Sequence, residues 1–68
     1  MFNKNKFRAK VYERGQTLEK VADFIGKNPA TITRKLNGES EFTRNEIQQL
    51  ISFLNLSDEE VKDIFFAS

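Results

Sequence analysis

Cysteine, histidine and tryptophan are all absent from this 68-residue chain. Without cysteine no disulfide framework supports the fold. Without cysteine and histidine together, the usual zinc ligand sets and most nucleophile–base pairs are gone. No glycine-rich phosphate loop is present, nor a pair of acids set to face a cleft. An enzyme, a metal site and a cofactor are therefore not expected, and neither is a small-molecule substrate. The chain has no long apolar run and no signal peptide, because the basic start MFNKNK is not followed by the apolar segment that secretion needs. A cytoplasmic protein without a membrane partner is the expectation. Sixty-eight residues make one domain, 1–68, near the lower size at which a core holds without staples.

Proline occurs once and glycine three times, and their positions organise the chain. In the stretch 17–38, TLEKVADFIGKNPATITRKLNG, Thr17 is a good N-cap. Leu18, Val21, Ala22 and Ile25 then recur at the spacing of one helix face. Gly26 supplies a left-handed residue that ends this helix without a Cβ clash. After Lys27, Asn28 offers a second N-cap, with Pro29 at the first helical position, where its missing N–H costs nothing. Ile32 and Leu36 point inward from this second helix, which stops at Asn37-Gly38. Two helices so close in sequence cross steeply, and Ala22 supplies the small residue at the crossing. The outward face of helix 28–37 carries Pro29, Ala30, Thr33, Arg34 and Asn37. This is the layout of a helix-turn-helix whose second helix enters the DNA major groove; an αα-hairpin with no nucleic-acid role is the plainer alternative.

Net charge is only +1, but it is segregated. Residues 1–35 hold nine Lys and Arg against three acids, a balance of +6. Residues 36–68 hold two against seven, a balance of −5. Such asymmetry orients a protein on DNA by its field. Solvation of a small protein would explain the total, though not the segregation.

The pattern T-x4-A-x3-G-x5-I-x-R-x2-N-G, carried by Thr17, Ala22, Gly26, Ile32, Arg34, Asn37 and Gly38, resembles the phage Cro and repressor group, the Xre family. The ending KLNG, the following Phe-Thr helix start and the terminal IFF are similar to small repressor-like proteins of phages and mobile elements of Gram-positive bacteria. The resemblance covers nearly the whole chain. It implies an all-α, compact five-helix lambda-repressor-like domain with a central helix-turn-helix at 17–38 and supporting, dimerising helices within 43–67. Many relatives pair an Arg at the place of Val11 with a Glu at the place of Leu36. Both positions are apolar here, and a packed hydrophobic contact avoids the desolvation a buried pair costs, so contact between Val11 and Leu36 is expected. The loop Glu39-Ser40-Glu41 departs from the family, whose members often place Lys or Arg beside the DNA backbone. These acids either point away from DNA or weaken binding.

Outside the motif, a first helix is expected from residue 3 or 5 to Arg14, closed by Gly15, with Phe7 and Val11 inward. Its Lys4, Lys6, Arg8 and Lys10 either touch phosphate or keep the helix soluble. FTRNEI opens the next helix, with Thr43 and Glu46 as a capping box and Phe42 and Ile47 as a staple. Ile47, Leu50, Ile51 and Leu54 follow as its inward stripe. The last helix repeats this grammar with Leu56, Ser57, Glu60 and Val61. Asp58, Glu59 and Glu60 fall in its first turn, where the dipole favours them. Phe24, Phe53 and Phe66 lie off their helices' inward stripes, which points to self-association unless neighbouring helices bury them. Phe66 and Phe53 are the expected dimer contacts, Phe66 foremost.

The resulting expectation is a Cro-like transcriptional repressor acting as a homodimer on double-stranded operator DNA. Arg34 reads a guanine, Ala30 and Thr33 meet thymine methyls, Asn28 reaches a base or phosphate, and Pro29 contributes shape. Thr17, Lys27, Asn37, Thr43 and Arg44 hold phosphates, partly through helix N-termini. Ending at Ser68, the chain is expected to be a single-domain regulator without an attached sensor. The alternative is a protein-interaction module of antitoxin or antirepressor type using the aromatic surfaces.

Overall fold

A computed structural model describes residues 1–67 as five α-helices, with no strand among them. They are α1 (Lys4–Glu13), α2 (Leu18–Ile25), α3 (Pro29–Leu36), α4 (Arg44–Leu54) and α5 (Asp58–Phe65). Every helix begins on a side-chain cap. Asn3, Thr17 and Asn28 accept from the backbone N–H of Lys6, Lys20 and Thr31, respectively. Thr43 and Ser57 complete reciprocal capping boxes with Glu46 and Glu60. Caps of this kind satisfy donors that a helix start otherwise leaves open. The expected boundaries therefore hold to within a residue or two. One stop was not anticipated: Asn55, at φ 54°, closes α4 in the left-handed conformation, which asparagine tolerates better than most residues.

α2 packs against both α3 and α4, while α1 packs against α5. Val21, Ala22 and Ile25 put the inner face of α2 into a single core, with Ile32 and Leu36 of α3 and Leu50 and Leu54 of α4. Ala22 is wholly buried, as a crossing residue should be. Val11 and Leu36 are both in this core, so neither position is left polar. The turn after α2 depends on Gly26, at φ 73°, whose N–H donates to Asp23 O while that of Lys27 donates to Ala22 O. A Cβ at this position would meet nothing within 4 Å, so a side chain there is opposed by backbone conformation alone. Gly26→Ala is expected to cost about 1 kcal/mol and lower the melting temperature by about 4–8 °C. A melting curve coincident with the parent's would contradict the left-handed turn.

Four phenylalanines from four parts of the chain form the other half of the core. Phe2, Phe7, Phe42 and Phe65 all touch one another, with ring centroids 5.3–6.3 Å apart. The arrangement joins the N-terminal arm, α1, the residue before the N-cap of α4, and α5. The arm is also held by its backbone: Asn3 N–H donates to Ile64 O at 2.7 Å, and the terminal ammonium of Met1 donates to Ala67 O at 2.7 Å.

Arg14 binds three helices at one point. Its guanidinium donates to the carbonyls of Leu54 (2.9 Å) and Asn55 (2.8 Å), which end α4, and to Glu60 Oε2 (2.7 Å) in the first turn of α5. Lys10 adds a second cation to Glu60 and also pairs with Glu13 at 2.9 Å. The Lys10 ammonium and then the Ser57 N–H hold the Glu60 carboxyl at about 2, against the opposing effect of partial burial. Because the folded value lies below the ordinary one for glutamate, near 4.3, the ionised group stabilises the fold above that pH. The contribution fades as pH falls from about 4.5 towards about 2. Glu60→Gln is expected to melt lower than the parent at pH 7 and to converge with it as pH approaches 2. Parallel curves across the range would remove Glu60 from acid sensitivity.

Candidate nucleic-acid interface

The inner face of α3 is fixed by Ile32 and Leu36, both buried, and this decides what its other face presents. Asn28, Pro29, Ala30, Thr33 and Arg34 are all exposed, so the five expected base-reading residues share the free side of one anchored helix. The Arg34 guanidinium has no hydrogen-bond or ion-pair partner among the described residues. Its five donors are open to a planar acceptor edge. Two neighbours are partly committed. Asn28 Oδ1 accepts from the N–H and hydroxyl of Thr31 at 2.8 and 3.1 Å, which leaves its amide NH2 as the group able to reach outward. The Thr33 hydroxyl donates to Pro29 O at 3.1 Å, so an apolar contact suits Thr33 better than a hydrogen bond to a base.

The expected phosphate-holding residues are also exposed: Thr17, Lys27, Asn37, Thr43 and Arg44. Lys27 and Arg44 form no ion pair among the described residues. Thr17 and Thr43 spend a lone pair on their caps, at 3.2 and 3.1 Å, and keep a hydroxyl proton to donate. The backbone N–H of Thr43 is taken by Glu46 Oε1 at 2.8 Å, so the free donors at the start of α4 belong to the two residues that follow.

Lys35 behaves differently from Arg34, its neighbour on α3. Only 9% of its side chain is accessible, and its Nζ lies 3.0 Å from Glu46 Oε1, a carboxylate 7% accessible. The same ammonium donates to Glu41 O at 3.0 Å and sits 5.7 Å from the centre of the Phe42 ring. An ion pair thus fastens α3 to α4 and to the loop between them. Burial pushes the Glu46 carboxyl up, but the Thr43 N–H and Lys35 outweigh it and leave the group below its ordinary range. Sequence reasoning assigned Glu46 to capping alone and did not assign Lys35. The signal available was a cation one residue from a buried leucine, which is weak. Glu39 and Glu41 are exposed, and neither carboxylate is paired among the described residues.

The aromatic residues divide. Phe53 is partly buried and stacks on Phe24, with centroids 4.5 Å apart and 29° between planes. Two rings that fall off their own stripes are therefore partners across α2 and α4, although Phe24 remains 46% accessible. Phe66, the residue that caps α5, is 65% accessible.

Among the described residues no group of three or more acidic, histidine or cysteine side chains is placed to hold a metal ion, and no helix is long and apolar enough to cross a membrane. No protein-family model matches the chain, and a search of curated proteins finds no match.

Proposed function

We propose that this protein is a sequence-specific DNA-binding repressor of the Cro-like, lambda-repressor type, with α2 and α3 as its helix-turn-helix. The observation that carries the reading is an anchored α3 whose free face holds Asn28, Pro29, Ala30, Thr33 and an unpaired Arg34. In this reading α3 enters the major groove and Arg34 takes O6 and N7 of a guanine, a contact worth about 1–3 kcal/mol of discrimination. Thr17, Lys27, Asn37, Thr43 and Arg44 set the register on the backbone. With roughly four phosphate contacts per subunit a dimer makes about eight, and log K falls with log salt at a slope near −7. Phe66 is the anchor by which two copies associate, and two-fold symmetry puts half-sites about 34 Å apart. Repression follows by occlusion of polymerase in the cytoplasm.

Selection from a random duplex pool tests this. A pseudo-palindrome with half-sites one turn apart is the expected result, and Arg34→Ala should lose preference at one base of each half-site while keeping most of the salt slope. A pool that never enriches, with binding lost at modest salt, would reject the reading. The exposed Phe66 and Phe24, the latter stacked on a partly buried Phe53, favour a second reading, an interaction module of antitoxin or antirepressor type. That reading predicts a protein partner and no enriched sequence.

A further inference from the structure

Four cations line α1, and the fold separates their roles. Lys10 is committed to Glu13 and Glu60. Lys6 and Arg8 are exposed and touch no acid among the described residues. Lys4 alone reaches the helix-turn-helix: its Nζ lies 3.5 Å from Asn37 Oδ1, across 33 positions of sequence. We propose that Lys4 and Asn37 together clasp one DNA backbone phosphate at the exit of α3, so that α1, outside the helix-turn-helix, is part of the DNA interface. The inference rests on the DNA-binding reading.

Three observations converge on it. Lys4 does not serve its own helix, because a cation in the first turn is opposed by the dipole, and α1 has no acid there to offset it. Nor does Lys4 neutralise the acidic loop. Glu39 and Glu41 lie within four positions of Asn37, and Glu41 borders the same groove, yet neither pairs with Lys4. Finally, with Asn37 Oδ1 turned to the ammonium, the amide NH2 is left to donate. An ammonium and an amide NH2 side by side present donors only, which suits a phosphate oxygen and suits neither a cation nor an apolar group. Asn37 is the C-cap of α3, so the clasp sits at the opposite end from Asn28 and grips the strand on the far side of the reading face.

The test is fluorescence anisotropy on a selected operator duplex between 50 and 200 mM salt, with Lys4→Gln, Lys4→Arg and, as a control of equal charge change, Lys62→Gln on α5. Lys4→Gln should flatten the salt slope by about 0.9 per subunit. The loss of affinity over that range would then be about threefold smaller per subunit. Lys4→Arg should keep the parental slope, and Lys62→Gln should leave it unchanged. All three are exposed changes, and their melting curves should coincide with the parent's. A Lys4→Gln slope equal to the parent's, or a Lys62→Gln slope reduced as much, would overturn the clasp while leaving the DNA reading in place. A parent that binds no duplex at all would overturn the DNA reading and the clasp with it.

Discussion

Phe7→Ala is expected to abolish or nearly abolish the cooperative melting of this protein. The side chain is completely buried and touches Phe2, Phe42 and Phe65. Removing a buried phenylalanine typically costs about 3–5 kcal/mol, from lost transfer energy and from the cavity left behind. A domain of this length holds roughly 3–10 kcal/mol in all, so the substitution consumes most of it. A fall of about 15–30 °C in melting temperature, or no transition at all, is the expected calorimetric result. Collapse cannot repair the site, because its three aromatic neighbours come from the arm, the residue before the N-cap of α4, and α5, and none can move in without dragging its own element. Phe24→Ala is the matched control: its ring is 46% accessible and rests only against Phe53 among the aromatic rings. It should cost no more than about 1 kcal/mol, the scale of one aromatic pair. Equal losses from both variants would mean that the four-ring cluster does not hold the core.

This cluster marks the boundary of what local pattern could reveal. Phe7 falls inward by spacing and Phe42 by staple grammar, but nothing in a period of 3.6 says that they meet each other or Phe65. Phe2 precedes α1, so no helical period applied to it at all. The helix ends were legible for the opposite reason, since caps act within three or four residues. Asn3, Thr17, Asn28, Thr43 and Ser57 all cap the helices they precede. Arg14 shows the same contrast within one side chain. Its place at the end of α1 is local and was readable, whereas its grip on the Leu54 and Asn55 carbonyls spans 40 and 41 positions and was not. Likewise, exposure of Arg34 follows from the register of Ile32 and Leu36 on the same helix, while the pairing of Lys35 with Glu46 depends on how α4 returns.

That pairing carries the second large effect. Lys35→Met keeps the length and apolar stem of the side chain but removes the charge, leaving the Glu46 carboxylate with the Thr43 N–H alone at a site 7% open to water. Breaking a buried pair from one side usually costs several kcal/mol, because the remaining charge has lost its compensation. The retained capping bond limits the loss here to about 3 kcal/mol at pH 7. The same argument fixes a pH signature. Lys35 is among the groups that lower the Glu46 carboxyl against its burial, so without it the folded-state pKa rises, and the deficit is present while the carboxylate is ionised and disappears as it protonates. The deficit of Lys35→Met should therefore shrink as pH is lowered through about 4.5, the reverse of an ordinary acid-destabilised variant. Glu46→Gln should be harmful for the mirrored reason, since it strands the ammonium among Glu41 O and the Phe42 ring. The double variant Lys35→Met/Glu46→Gln should recover much of the loss, because no buried charge remains to be compensated. On the proposed DNA-binding reading, recovery of stability need not restore binding. If the pair's purpose is to fix how α3 sits on α4, the double variant should melt near the parent yet bind a selected duplex more weakly, with Arg34 still in place. Full recovery of both would make the pair a replaceable contact, and failure of the double variant to recover stability would show that the ammonium's bond to the Glu41 carbonyl, not its pairing with Glu46, is what the loop requires.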